Sequence, residues 1–92
     1  MRVRYTRRAP RQLDSILDYI EERSPNGAQK VMGRITAVVR LLAEHPSAGQ
    51  TTDQGDVRRV VANPYPYVIF YRISAAEVVI HSVRDAARAR VG

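Results

Sequence analysis

Fourteen of the fifteen basic side chains in this 92-residue sequence are arginine, and two of them stand side by side in 57-VRRVVANPYPYVIFYRI-73. A guanidinium presents a planar fork of donors that grips phosphate or carboxylate through two hydrogen bonds. A GC-rich genome produces the same bias, so the placement of the arginines says more than their number. Residues 1–11 hold five arginines and no acid (+5), residues 12–56 four bases against seven acids (−3), and residues 57–92 six arginines against Glu77 and Asp85 (+4). Both ends are basic around a mildly acidic middle. That pattern points to a polyanionic partner, either nucleic acid or an acidic peptide.

Other reactive groups are few. There is no cysteine, which excludes disulfides, thiolate chemistry and cysteine-based metal sites. His45 opens a loop before a proline, and His81 lies within a strand. A lone strand histidine is usually structural, and these two alone make no metal site. The sequence has no glycine-rich phosphate loop, no paired histidine motif and no metal-ligand cluster. Neither a metal nor a cofactor is expected.

The chain that positions these groups reads as a single domain over residues 1–92, with 45% hydrophobic residues and material for one modest core. The start, MRVRYTRRAP, lacks the apolar run of a signal peptide, and no apolar run approaches a membrane span. A cytoplasmic protein without membrane contact is expected. Arg2 to Thr6 alternates as a half-buried strand, with Val3 and Tyr5 on one face. Thr6 is placed to cap a helix whose first turn tolerates Pro10 and whose stripe is Ala9, Leu13, Ile16, Leu17 and Ile20. Ser24 and Pro25 restart a second helix, with a stripe of Ala28, Val31, Ile35, Val38, Val39 and Leu42, ending near Glu44. Two helices joined so tightly form an antiparallel hairpin that needs a sheet to cover it.

A polar loop opens at 45-HPSAG-49 and runs to about Asp56. Strands follow at Val57–Ala62, Tyr67–Ile73 and Glu77–Arg84, joined by turns at 63–66 and 74–76. The fold class is therefore α+β, in the order β-α-α-β-β-β: a twisted antiparallel sheet with a helical hairpin packed on one face. Tyr67, Ile69, Tyr71 and Ile73 share one face of the central strand, with Val68, Phe70 and Arg72 opposite. On the last strand, strict alternation sets Val78, Ile80, Ser82 and Arg84 against Val79, His81, Val83 and Asp85. A central strand apolar on both faces needs cover on both, and the chain has only one helical layer. A basic groove for a partner is expected, drawn from Arg58, Arg59, Tyr67, Phe70, Arg72 and Arg84; the alternative is that the basic residues and tyrosines cover this face themselves, their stems lying flat. Of the adjacent pair Arg58 and Arg59, one points out from the sheet and the other sits toward the helical side or the strand edge.

The sequence resembles the RelE/ParE superfamily of bacterial toxins, and more closely the ParE-like branch. The matching residues are VRYT, QLDSILDYIEERSP, HPSAG, VRRVV, YPYVIFYRI and VVIHSVRDAAR, in that order and over nearly the whole chain. The resemblance implies the toxin of a type II toxin–antitoxin module, held in a hetero-oligomer by a ParD-like antitoxin whose C-terminal segment fills the groove. RelE-like members cut messenger RNA on the ribosome, whereas ParE-like members inhibit DNA gyrase. Nuclease members place basic residues on the second and third strands, an arginine near the fourth, and often a C-terminal tyrosine or histidine. Arg59 and Arg84 match two of these positions, but Val68 falls at the third-strand one, and nothing after Asp85 supplies the last. His81 is the substitute acid or base, although strict alternation sets it opposite Arg84. The incomplete set favours a gyrase inhibitor with no catalytic residues. The alternative is a ribosome-dependent endoribonuclease using Arg59, Arg84 and His81.

Overall fold

All the expected strands and helices form, and one further strand is added. In the computed structural model, which describes residues 1–88, β1 (Arg2–Tyr5) leads into α1 (Arg8–Glu21) and α2 (Pro25–Glu44). A 3-10 turn (Pro46–Ala48) follows, then β2 (Gln50–Thr51), β3 (Val57–Val61), β4 (Tyr67–Ser74), β5 (Glu77–Asp85) and a closing 3-10 turn (Ala86–Arg88). The sheet has five strands in the order β1-β5-β4-β3-β2. Its edge strand β2 has two polar residues, too few for alternation to reveal. The sheet is mixed rather than wholly antiparallel, because β1 runs parallel to β5. The whole helical hairpin and three strands separate the two, which is ample chain for a parallel connection.

Ser24 caps α2 as expected, its Oγ accepting the Gly27 N–H at 3.0 Å. Thr6 does not cap α1; Arg7 holds that position without a side-chain bond. The Thr6 hydroxyl donates instead to the His81 carbonyl at 2.7 Å, and its N–H donates to the Ile80 carbonyl at 3.0 Å. These bonds carry the β1–β5 pairing beyond Tyr5. The helix stripes meet one face of the sheet, where Leu42, Ile69, Tyr71, Val78 and Ile80 are wholly removed from solvent. Each aliphatic side chain buried there contributes about 1.5–3 kcal/mol of transfer free energy.

Tyr71 ties the sheet to the loop that leads out of α2. Its buried hydroxyl donates to the Pro46 carbonyl at 2.6 Å and accepts the Gly49 N–H at 2.8 Å. The fit is close: a Cβ at Gly49 would lie 2.5 Å from Tyr71 Oη and 2.8 Å from the Arg59 carbonyl oxygen. Tyr71→Phe removes both bonds and strands a buried N–H, so a loss of roughly 1–3 kcal/mol is expected by denaturant titration. Gly49→Ala should cost a similar amount, on the order of 1–3 kcal/mol, by overpacking. In the β4–β5 turn, Ala75 has φ +50°, a left-handed conformation that costs a Cβ-bearing residue about 1–2 kcal/mol. Ala75→Gly relieves that strain, and a small rise in the thermal midpoint should follow.

Candidate functional site

Strand register decides which arginines can act together. On β3, Arg58 pairs with Thr51 and Tyr71, whereas Arg59 pairs with Gln50 and Phe70. Arg58 therefore lies on the helical side with Tyr71. Its Nη1 donates to the Gly49 carbonyl at 2.9 Å and more weakly to that of Ser47 at 3.5 Å, joining Tyr71 in holding the loop. Arg59 lies on the opposite side, in a row with Phe70 and Ser82.

The same side carries Arg72, paired with Val57 and Val79, and Arg84, paired with Val68. Tyr67 does not join them. It shares the helical face with Ile69, and burial, then Asp85 and Tyr19, raise its hydroxyl pKa above the ordinary value. Of the six residues expected in one groove, Arg59, Phe70, Arg72 and Arg84 share a surface, while Arg58 and Tyr67 face the other way.

Strict alternation fails on β5. Phe70 pairs with Ser82 and Tyr71 with Ile80, so His81 is an extra, unpaired residue in a β-bulge. Residues beyond it swap faces: Val83 joins the core, and His81 stands with Arg84 rather than opposite it. Burial, followed by the positive charges of Arg8, Arg72 and Arg84, lowers the His81 pKa below its ordinary value. The imidazole is thus held neutral at pH 7. His81 Nδ1 and Arg59 Nε are both buried and without a hydrogen-bond partner among the described residues. Each such group forfeits solvation of roughly 1–3 kcal/mol, and more where it is charged.

No open apolar groove lies on this side among the described residues. Val68, Phe70 and Val79 point here and are almost wholly buried. Val57, Arg59, Val61, Arg72, His81 and Arg84, each half-buried, are the side chains placed to cover them. The surface is accordingly cationic rather than apolar. Arg4 of β1 ends its row, paired with Glu77 at 3.1 Å in an exposed contact of small energetic weight.

The apolar surface that a partner can reach lies elsewhere. A cleft of about 280 Å³ opens between α1 and α2, with Tyr5 and Met32 on its rim and Ile80 and Val83 deep within. Tyr5 is 48% exposed and Met32 42%. Sequence reasoning missed this cleft. Its signal was Met32, an apolar residue outside the α2 stripe. Among the described residues no group of three or more histidines, cysteines or carboxylates is placed to hold a metal, and no helix is long and apolar enough to cross a membrane.

The arrangement combines donors for an anion with a neutral imidazole able to move a proton, on a sheet backed by a helical hairpin. Comparison with known proteins bears on the same features. The chain is similar to the Y4kP protein of Sinorhizobium fredii (44% identity, covering 79% of this chain and 76% of that protein). It is also similar to Toxin RelE2 of Caulobacter vibrioides (38% identity, 91% and 93%). Among solved structures, the chromosomal ParDE toxin–antitoxin system of P. aeruginosa superposes with a TM-score of 0.81 at 25% identity, over 92% of this chain and 95% of that one. The profile of the ParE toxin of the type II parDE toxin–antitoxin system matches residues 3–90. With nearly its whole length matched, the chain belongs to the ParE toxin family of type II toxin–antitoxin systems.

Proposed function

We propose that this chain arrests growth by inhibiting DNA gyrase, without catalysis of its own, and that a ParD-like antitoxin neutralises it in a hetero-oligomer. The observation that carries this reading is Val68. It faces the cationic side at the position aligned with a third-strand base of the nucleases, yet it is apolar and fully buried. Cutting RNA needs a base, an acid and cationic stabilisation of the transition state together, and that position supplies none of them. Membership of the ParE family supports the same side.

A second reading, the ribosome-dependent endoribonuclease, is favoured by one observation. The bulge brings His81 onto the face of Arg59 and Arg84, and these three are the residues that such chemistry would use.

In the gyrase reading, the antitoxin's apolar side chains enter the cleft between Tyr5 and Met32, and its carboxylates reach Arg59, Arg72 or Arg84. Arg58 is already committed to the loop. Buried apolar anchors carry most of such an affinity, while each exposed ion pair adds about 0–1 kcal/mol.

Induction of the chain alone should arrest bacterial growth, and co-expression of its antitoxin should restore it. Normal growth of cells that contain folded protein would remove the toxin reading. The purified chain should block supercoiling by gyrase while messages stay intact early after induction. Codon-positioned cleavage of translated messages within minutes would replace the gyrase reading with the nuclease one. Met32→Asp should weaken antitoxin binding by more than about tenfold, chiefly through faster dissociation, whereas Arg72→Glu should chiefly slow association. Surface plasmon resonance separates the two rates.

A further inference from the structure

Arg59 Nε and His81 Nδ1 are buried without partners among the described residues, and they flank the same residue. Arg59 pairs with Phe70 from one side, and the bulge at His81 lies beside Ser82, which pairs with Phe70 from the other. Adjacent strands lie roughly 5 Å apart, so the two side chains rise from points about 10 Å apart across β4. A small anion at the surface between them is within reach of both side chains. Arg72 stands on the same face two residues along β4, and Arg84 lies on β5 beyond the bulge.

The field at this place is positive. Arg72 and Arg84, with Arg8 at the start of α1, all act on His81. Among the described residues, the carboxylate that shares the face, Glu77, is engaged by Arg4 at the other end of β5. A site that offers guanidinium donors and an imidazole that gains a proton next to negative charge is built for an oxyanion.

The surroundings select the kind of oxyanion. A peptide ligand needs apolar pockets for its anchors, and the apolar residues here are already covered. A single-stranded nucleic acid needs exposed aromatic faces on which bases stack. Phe70, the aromatic residue of this face, is 2% exposed. Contacts to the phosphates of a duplex, which need neither, remain.

We propose that this face binds the phosphate backbone of duplex DNA independently of sequence, with one phosphate held at the surface between Arg59 and His81. In the gyrase reading the toxin then touches the DNA held by the enzyme as well as the enzyme. The binding itself needs no gyrase and is tested without it, so its failure leaves the supercoiling result untouched.

The test is fluorescence anisotropy of the purified chain with a labelled DNA duplex of mixed sequence, at several salt concentrations. Two neutralised phosphates, one at Arg59 and one at Arg72, predict a fall in affinity of about 12-fold between 50 and 200 mM salt, equal for different sequences. Arg59→Gln and Arg72→Gln should each weaken binding and reduce the salt slope by about one, while Arg59→Lys retains most of it. Arg40→Gln, on the helical layer, should leave affinity and slope unchanged. In the wild-type chain, which avoids any folding defect of a variant, NMR titration with inorganic phosphate should raise the His81 pKa. Tighter binding of single-stranded RNA or of polyglutamate than of the duplex would overturn the proposal. So would equal losses in the Arg40 variant, or a His81 titration that phosphate does not move.

Discussion

Between Ile80 and Ser82 the last strand has to change which of its residues face the helices. Eight residues of β4 pair with nine of β5, and the surplus residue is His81. Without it, Ser82 and Arg84 would turn under the helical hairpin and Val83 would turn away. A guanidinium forced into that core without an ionic partner would cost several kcal/mol, far more than a valine there contributes. The bulge keeps Val78, Ile80 and Val83 on one side and returns Arg84 to the other. It also swings an imidazole onto the arginine face. The core and the candidate site therefore depend on the same irregular residue pair.

Much of this was legible in the sequence, for definite reasons. The helix stripes and the cap at Ser24 follow from spacing and a side-chain oxygen, both of which are local. The faces of β4 follow from alternation, and its apolar residues on both sides marked it as central. Long-range pairing was less legible. The direction of β1 depends on which strand it joins, and β2 is a two-residue edge fixed by the loop clamp rather than by its own residues. The bulge escaped because alternation assumes an unbroken ladder, and the residues Ile80, His81 and Ser82 do not announce the break. That one slip carried His81 to the wrong face. The groove was one of two readings of a face that needs cover: the half-buried side chains beside Phe70 and Val79 are placed as in the other, which has the basic residues cover the face themselves. Tyr67 was misplaced only by grouping, since its alternation with Ile69 and Tyr71 already put it under the helices.

The adjacent arginines divide their tasks by strand parity alone. Arg58 turns to the helical side and, with Tyr71, holds the carbonyls of the loop after α2. Arg59 turns outward, and its position depends on that same clamp, because its carbonyl oxygen lies against Gly49. A loop without a hydrophobic core of its own is thereby fixed by hydrogen bonds to two residues of the sheet. The edge strand β2, and the outward pose of Arg59 with it, rests on that clamp.

Gathering cations over a buried aromatic ring has an electrostatic cost. Two unit charges about 10 Å apart repel by roughly 0.4 kcal/mol in water and 1.7 kcal/mol at an effective dielectric of 20. Holding His81 neutral removes one charge from that sum, and burial acts in the same direction. Because its pKa is depressed in the folded chain, the unfolded chain takes up the proton first as pH falls below about 6.5, and stability declines there. An anion on this face reverses each of these effects. It offsets the repulsion, favours the imidazolium and satisfies the two unpartnered nitrogens. Linkage makes the effect reciprocal: whatever anion the arginine face binds must also stabilise the fold that presents it.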